Sequence, residues 1–195
     1  MGKGIFPTSS NFSKKNRYGN FPSFSAAWRI SQERFMKNLN FITDLKIRGS
    51  WGVLGNSNIN AYQYQSSVSF DKICYYLNNK RVTGGLPVTP SNPNVKWESQ
   101  YSTDLGIDLT MFDNHFIFTF DYYYKKTKDM LVQVPISFAA GYMNNFPVLN
   151  AGSIENKGIE IALTYRNSYK KLDYSISANL STVKNKVLEL GTNNE

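Results

Sequence analysis

Residues 101–124 alternate apolar and polar side chains with a period of two, on both sides of a tight turn. Successive side chains of a β-strand point to opposite faces, so this alternation separates an apolar face from a small, polar one. A two-residue turn at Asp113-Asn114 places Leu109 opposite Phe118. Each apolar residue then meets an apolar partner, which favours a single register. The apolar face comprises Tyr101, Thr103, Leu105, Ile107, Leu109, Met111, Phe116, Phe118, Phe120, Tyr122 and Tyr124.

Six segments alternate in this way, and they predict an all-β fold with one antiparallel, up-and-down sheet. Strands of about ten residues that are apolar on one face and polar on the other are typical of transmembrane β-barrels. Six strands are too few to close such a barrel, for which about eight is the minimum. We therefore expect the chain to be part of a large transmembrane β-barrel. The predicted strands lie near residues 22–31, 44–54, 98–112, 115–126, 157–167 and 173–185.

The connections between these strands alternate between short and long. Residues 54–97 and 127–157 form the long loops, which are rich in Asn, Ser, Gly and Tyr, whereas the other three links are short. Up-and-down strands place all short links at one end and all long loops at the other, as in outer-membrane barrels with long extracellular loops. Residues 32–38 predict a helical turn with Ser31 as its N-cap, and the partial alternation of residues 62–82 predicts a hairpin above the membrane.

Aromatic residues at strand ends suit the girdle of a membrane barrel, where an amphipathic ring lies at the level of the lipid headgroups. Trp97 stands where a long loop meets a strand, and Tyr122 and Tyr124 end their strand on the apolar side. Ordinary core packing is the alternative for Trp97. For Trp28 and Trp51, both interpretations stay open.

The long loops also carry aromatic rings that suit contact with a ligand, either by stacking on sugar faces or by packing against a peptide. Packing within the loops, or contact with a protein lid, is the alternative for each ring. The sequence does not distinguish a glycan from a peptide. The candidate ligand contacts are Tyr62, Tyr64, Tyr75, Tyr76, Phe138, Tyr142 and Phe146.

The positive charge of the chain does not by itself identify a partner. The net charge is +8, with basic clusters at residues 14–17, 125–128 and 170–171. These clusters suit anionic lipid headgroups or nucleic acid, but solvated turns are the favoured explanation, since no nucleic-acid motif accompanies them. We therefore expect no nucleic-acid partner. Cys74 is the only cysteine, which excludes a disulfide framework and a thiolate metal site. No cofactor motif is present, and we expect neither a cofactor nor a metal.

Asp108 and Asp121 are the one pair of residues that resembles catalytic machinery. In the register above they are diagonal neighbours about 7 Å apart, a spacing within the range that glycoside hydrolases use. Their neighbours Gly106, Thr110 and Thr119 describe an open, wet surface, whereas a general acid needs a desolvated carboxyl. We therefore expect the two carboxylates to hydrate a polar lumen, and the sequence supports no enzymatic activity.

Six sequence motifs, in order and with consistent spacing, resemble the SusC/RagA-type TonB-dependent outer-membrane transporters of Bacteroidetes. Each motif is weak alone, but together they extend over most of residues 10–191. The resemblance covers only a late portion of the barrel, and no signal peptide is recognisable in residues 1–19, so we expect a fragment of a longer receptor. The six motifs are residues 16–31, residues 35–38, residues 45–52 with 55–56 and 58–59, residues 92–98, residues 121–131 and residues 150–160.

The resemblance implies a large, plugged barrel in the cell outer membrane that imports oligosaccharides or peptides. It further implies energy from the TonB system through the N-terminal region, a SusD-like lipoprotein lid over the extracellular mouth, and contact with outer-membrane lipid. Two other hypotheses stay open on the residues alone. One is a soluble all-β carbohydrate-binding module, and the other, suggested only by charge, is a domain that binds anions or nucleic acid.

Overall fold

The computed structural model describes residues 2–137, 139, 141–142 and 147–191, which are mostly antiparallel β-strand. Seven strands form the main sheet, in the order β1-β2-β3-β6-β7-β10-β11, and the remaining four form two separate hairpins, β4-β5 and β8-β9. The strands are β1 (Gly2–Ile5), β2 (Phe21–Arg29), β3 (Ile42–Asn56), β4 (Ser67–Leu77), β5 (Lys80–Thr89), β6 (Glu98–Met111), β7 (Phe116–Lys128), β8 (Leu131–Gln133), β9 (Val148–Asn150), β10 (Gly152–Tyr169) and β11 (Leu172–Leu190).

The all-β, antiparallel fold and the register of the central hairpin are confirmed. Leu109 pairs with Phe118, and Ile107 pairs with Phe120. The turn between β6 and β7 has left-handed backbone at Asp113 (φ 52°) and Asn114 (φ 72°), a conformation that Asp and Asn tolerate better than most residues. The six predicted strands correspond to β2, β3, β6, β7, β10 and β11, each antiparallel to the next. β1 was not predicted, because residues 2–5 show no alternation.

The short link between β2 and β3 differs from the expected helical turn. It contains two 3-10 turns, Ile30–Gln32 and Arg34–Met36, and neither has a side-chain cap. The prediction of Ser31 as an N-cap is wrong, because its hydroxyl donates to Asp44 Oδ1 at 2.6 Å instead. In the part of the chain that the structure describes, no helix is long and apolar enough to cross a membrane.

All long links lie at one end of the sheet, here called the loop end, and the short links lie at the other, the turn end. Residues 57–97 connect β3 to β6 and contain the hairpin β4-β5, which starts later than the sequence suggested. Residues 129–151 connect β7 to β10 and contain the hairpin β8-β9. The turn end has only residues 30–41, 112–115 and 170–171.

The main sheet has one apolar face, here called the outer face, and one polar face, the inner face. On the outer face, Leu105 is 53% exposed and Ile107 is 37% exposed. Leu109, Phe118 and neighbouring rings are half-buried, since they shield one another across the strands. A buried apolar cluster of the described residues lies elsewhere, at the loop end, where Phe12, Val95 and Val148 pack together with Ile59, Tyr64, Trp97 and Leu131.

Candidate functional site

An ion-pair network crosses the inner face at mid-strand, and its centre is Arg48 on β3. The Arg48 Nε donates to Asp108 Oδ2 at 3.2 Å, and Nη2 donates to Asp121 Oδ2 at 2.7 Å. The strand pairing brings these residues together, because Arg48 lies opposite Gly106, which in turn lies opposite Asp121. The carboxylates that the sequence singled out as a candidate catalytic pair are therefore bridged by one guanidinium, as in a structural network.

Gly106 provides the room for this guanidinium. A Cβ atom at position 106 would lie 2.5 Å from Asp121 Oδ1 and 2.6 Å from Arg48 Cζ, distances that atoms in contact do not reach. Glycine in a strand interior often marks such a close approach. Sequence reasoning missed Arg48. The available signal was that Arg48 follows the apolar Ile47 and so lies on the polar face of its strand, the face that also carries the two acidic residues.

Further charged groups extend the network along the inner face. Lys46 Nζ is 3.5 Å from Asp108 Oδ2, and Arg29 Nη2 is 3.2 Å from Asp44 Oδ2. Glu160 stands directly opposite Asp121 on the neighbouring strand. The described residues contain no group of three or more His, Cys, Asp or Glu side chains arranged to hold a metal ion. The inner face thus combines ion pairs with open polar surface, which suits a water-filled lumen.

Tyr122 and Tyr124 lie on the outer face toward the loop end, where the sequence predicted a girdle. Tyr122 is 37% exposed, and the Tyr124 hydroxyl donates to Glu155 Oε2 at 3.1 Å. Tyr122 lies between Leu105 and Ile159 on the apolar face, whereas Tyr124 joins that face to the charged Glu155. This environment supports the girdle assignment, which stays a prediction.

A second group of aromatic rings occupies the turn end. The sequence left the role of Trp28 open, and it did not single out Tyr165 and Tyr174. Trp28 is 53% exposed, and its indole N–H donates to Glu33 Oε1 at 2.9 Å. Tyr165 and Tyr174 pack with ring centroids 6.2 Å apart. Eight residues separate Phe116, beside Tyr165, from Tyr124, so about 27 Å of strand lies between the two aromatic bands. At a tilt near 45°, that length corresponds to about 19 Å along the membrane normal, which is most of an apolar layer of about 25 Å.

Trp97 requires a correction, because its ring lies in the loop-end cluster and not on the outer face. Its centroid is 5.2 Å from that of Phe12 and 5.3 Å from that of Phe21. The indole nitrogen is buried without a hydrogen-bond partner among the described residues, whereas a girdle tryptophan keeps its N–H in a wet layer. The alternative of core packing is therefore right for Trp97.

Asparagine side chains fasten the long loops to one another around this cluster. The Asn150 amide donates to the carbonyls of Lys96 and Asp129, both at 2.8 Å, and its Oδ1 accepts from the Lys96 N–H at 2.9 Å. Asn92 Nδ2 donates to the Val148 carbonyl at 2.8 Å. Asn16 Nδ2 donates to the Val95 carbonyl at 3.0 Å. The motifs around residues 16, 92 and 150 thus hold the loop base in one shape.

The structure brings together two of the aromatic ligand candidates of the loops, Tyr62 and Tyr64, whose ring centroids are 6.4 Å apart. Tyr64 packs against the buried loop-end cluster, which supports the alternative of packing within the loops. Tyr62 remains 63% exposed. Tyr75 and Tyr76 are consecutive residues of β4, exposed by 50% and 71%, and therefore point to opposite faces of that hairpin. Tyr142 is half-buried, while Phe138 and Phe146 lie outside the described residues.

Residues 4–194 match the family described as TonB dependent receptor-like, beta-barrel. TonB-dependent receptor P3 of Formosa agariphila is 37% identical over 183 residues, which are 93% of this chain and 18% of that protein. TonB-dependent receptor SusC of Bacteroides thetaiotaomicron is 32% identical over 186 residues, again 93% of this chain and 18% of the relative. This chain therefore spans about a fifth of the length of these relatives.

Solved structures also resemble this chain. A structure described as the RagAB peptide importer in the closed-closed state superposes with a TM-score of 0.84 at 26% identity, covering 98% of this chain and 20% of that chain. A structure described as the RagAB peptide transporter gives a TM-score of 0.80 at 28% identity, covering 94% and 20%.

Proposed function

Because this chain belongs to the β-barrel family of TonB-dependent receptors, we propose that it forms part of the wall of an outer-membrane transporter that imports oligosaccharides or peptides. In the complete receptor, its outer face contacts lipid and its inner face lines the lumen. The observation that carries this proposal is the single sheet with an exposed apolar face on one side and the Arg48 network on the other.

The segregation of long and short links gives the proposed orientation in the membrane. Outer-membrane barrels have short periplasmic turns and long extracellular loops. The loop end, including the hairpin β4-β5, therefore lies outside the cell, and the turn at residues 170–171 lies in the periplasm. The asparagine contacts that hold the loop base support a surface preorganised for contact with partner or ligand.

The proposed partners follow from this orientation and from the family. A SusD-like lipoprotein closes the extracellular mouth above the loops, and the TonB system supplies energy through parts of the receptor that this chain does not span. Tyr62, Tyr75 and Tyr76 are the proposed ligand or lid contacts, since their rings remain exposed. Exposed tyrosine rings serve equally to stack on sugars and to pack against peptides.

The alternative of a soluble carbohydrate-binding module has weaker support. A β-sandwich covers its apolar face with a second sheet packed about 10 Å away. In the part of the chain that the structure describes, the other two sheets have only two strands each, too few to cover a seven-stranded face.

Two protease sites in the complete receptor test the orientation and the location together. One site is inserted between Asn78 and Asn79 in the hairpin β4-β5, and the matched site is inserted between Lys170 and Lys171. In intact cells, protease should cleave only the first site, and permeabilising the outer membrane should expose the second. Recovery of the receptor in the soluble fraction, or cleavage of only the 170–171 site in intact cells, would contradict the proposal.

Uptake assays then test transport and its substrate class. A strain that lacks the receptor should lose uptake of labelled oligosaccharides or of labelled peptides, and the complete receptor should restore it. A Tyr75→Ala/Tyr76→Ala variant should transport the same substrate with lower apparent affinity if these rings contact it. Unchanged uptake of both classes in the deletion strain would remove the import proposal.

A further inference from the structure

Lysines occupy the outer face where the apolar surface ends toward the loop end. The alternation that places Phe118 and Tyr122 on this face of β7 continues without a bulge to Lys126. In the same way, Ile161 and Ile159 of β10 are followed by Lys157. We call the four lysines on three adjacent strands the lysine rim: Lys126 of β7, Lys157 of β10, and Lys184 and Lys186 of β11.

Strand pairing sets the arrangement of the rim as two rows. In the row next to the apolar surface, Lys157 lies between Tyr124 and Lys184. In the next row, Glu155 lies between Lys126 and Lys186. Glu155 is the one acidic residue in these two rows. Its side chain is only 17% exposed, and it accepts from the Tyr124 hydroxyl at 3.1 Å and lies 3.4 Å from Lys157 Nζ.

The pairing of Lys157 with Lys184 is unfavourable in isolation, because like charges directly opposite each other destabilise a sheet. A single carboxylate among four ammonium groups leaves an excess of positive charge that an external anion would relieve. The rim also adjoins the surface that the proposed function assigns to lipid, so that lipid headgroups are the anions nearest to it.

We propose that the lysine rim binds the phosphate groups of phosphorylated lipids in the outer leaflet of the membrane. This inference rests on the proposed outer-membrane location and orientation. The apolar row that contains Tyr122 and Ile159 contacts the acyl region, and the flexible lysine stems carry their charges outward to the headgroups, as lysines at membrane interfaces do. Tyr124 and Glu155 hold Lys157 at the boundary between the two layers.

A lipid titration of the complete receptor tests the rim, with phosphatidic acid in neutral detergent micelles as the probe. One lysine contact near a charged headgroup layer corresponds to about a fivefold change in binding. We expect Lys184→Gln to weaken phosphatidic acid binding about fivefold, and Lys157→Gln/Lys184→Gln to weaken it at least tenfold. Lys125→Gln is the matched control, because Lys125 is the preceding residue on β7 and points to the inner face.

Thermal unfolding separates lipid binding from a merely structural role. In phosphatidylcholine vesicles, Lys184→Gln should raise the melting temperature, since it removes the repulsion with Lys157. In vesicles that also contain phosphatidic acid, the same variant should melt below the wild-type receptor. A structural role alone predicts the same direction of shift in both vesicles, and that result would overturn the inference.

Three further outcomes would also overturn it. The first is that the wild-type receptor binds phosphatidylcholine and phosphatidic acid equally well. The second is that Lys184→Gln and Lys125→Gln weaken phosphatidic acid binding equally. The third is that inorganic phosphate stabilises the receptor as much as the lipid does. The last would assign the rim to a free anion. If the protease sites place the receptor in the outer membrane but lipid binding shows none of these preferences, the rim inference fails while the proposed function stands.

Discussion

A charged residue on the outer face at mid-strand should destabilise the complete barrel strongly, and Ile107→Arg is the sharpest case. Ile107 lies opposite Ile47 on one side and Phe120 on the other. Four residues separate it from Met111 at the turn end, which is about 14 Å of strand and about 10 Å along the membrane normal at a tilt near 45°. That depth is close to the middle of an apolar layer of about 25 Å.

Arginine on the lipid face of a barrel at this depth costs about 2–4 kcal/mol in the free energy of unfolding. The control is Thr119→Arg, which introduces the same side chain one residue away from Phe120, on the inner face opposite Asp108. There the guanidinium meets water and a carboxylate, so we expect a change within about 0.5 kcal/mol. Reversible denaturation of the complete receptor from lipid vesicles measures both values. Equal penalties at the two positions would refute the assignment of the outer face to lipid.

Three further predictions follow from particular contacts. Gly106→Ala should displace the Arg48 guanidinium from Asp121 and cost about 1–3 kcal/mol in the free energy of unfolding, measured by the same denaturation experiment. Asn150→Ala removes three hydrogen bonds at the loop base, so the Lys96 amide should exchange its hydrogen faster, with a local loss of about 1–3 kcal/mol. Expressed alone in water, this chain should be oligomeric or insoluble, because its outer face and sheet edges are uncovered, and light scattering with and without detergent measures this.

Two control variants and one contradicting outcome test these three predictions. Gly49→Ala tests the glycine argument, because a Cβ there would lie 3.3 Å from Leu105 Cδ2, at the end of a side chain, and 4.0 Å from the Asp104 carbonyl oxygen. A cost as large as at Gly106 would contradict the argument. Asn179→Ala, at an exposed position of β11, should leave the exchange of the Lys96 amide unchanged. A compact monomer with one sharp thermal transition and no need of detergent would favour the soluble binding module.

Local alternation was enough to predict the hairpins. Neighbours such as Leu109 and Phe118 are only nine residues apart, and a slip of one residue would turn every apolar side chain to the wrong face. The turn at Asp113 and Asn114 restricts the register further. For these reasons the six long strands of the main sheet, their order and the difference between the two faces were readable before any coordinates, and the ordered motifs added the family. The short strand β1 and the hairpin β8-β9 were not predicted.

Long-range contacts decided the ion pairs of the inner face and the environment of Trp97. Arg48 and Asp121 are 73 residues apart, and their ion pair exists because β3 and β7 flank β6. Alternation specified the register of β6 with β7, but no local pattern specifies the register of β3 with β6. Trp97 was assigned to the membrane interface by its position at a strand end, whereas Phe12 and Phe21, far away in sequence, enclose it. The sequence by itself determined which residues alternate, since alternation is local. Only the tertiary structure decided which distant side chains meet, because those contacts depend on how the loops close between strands.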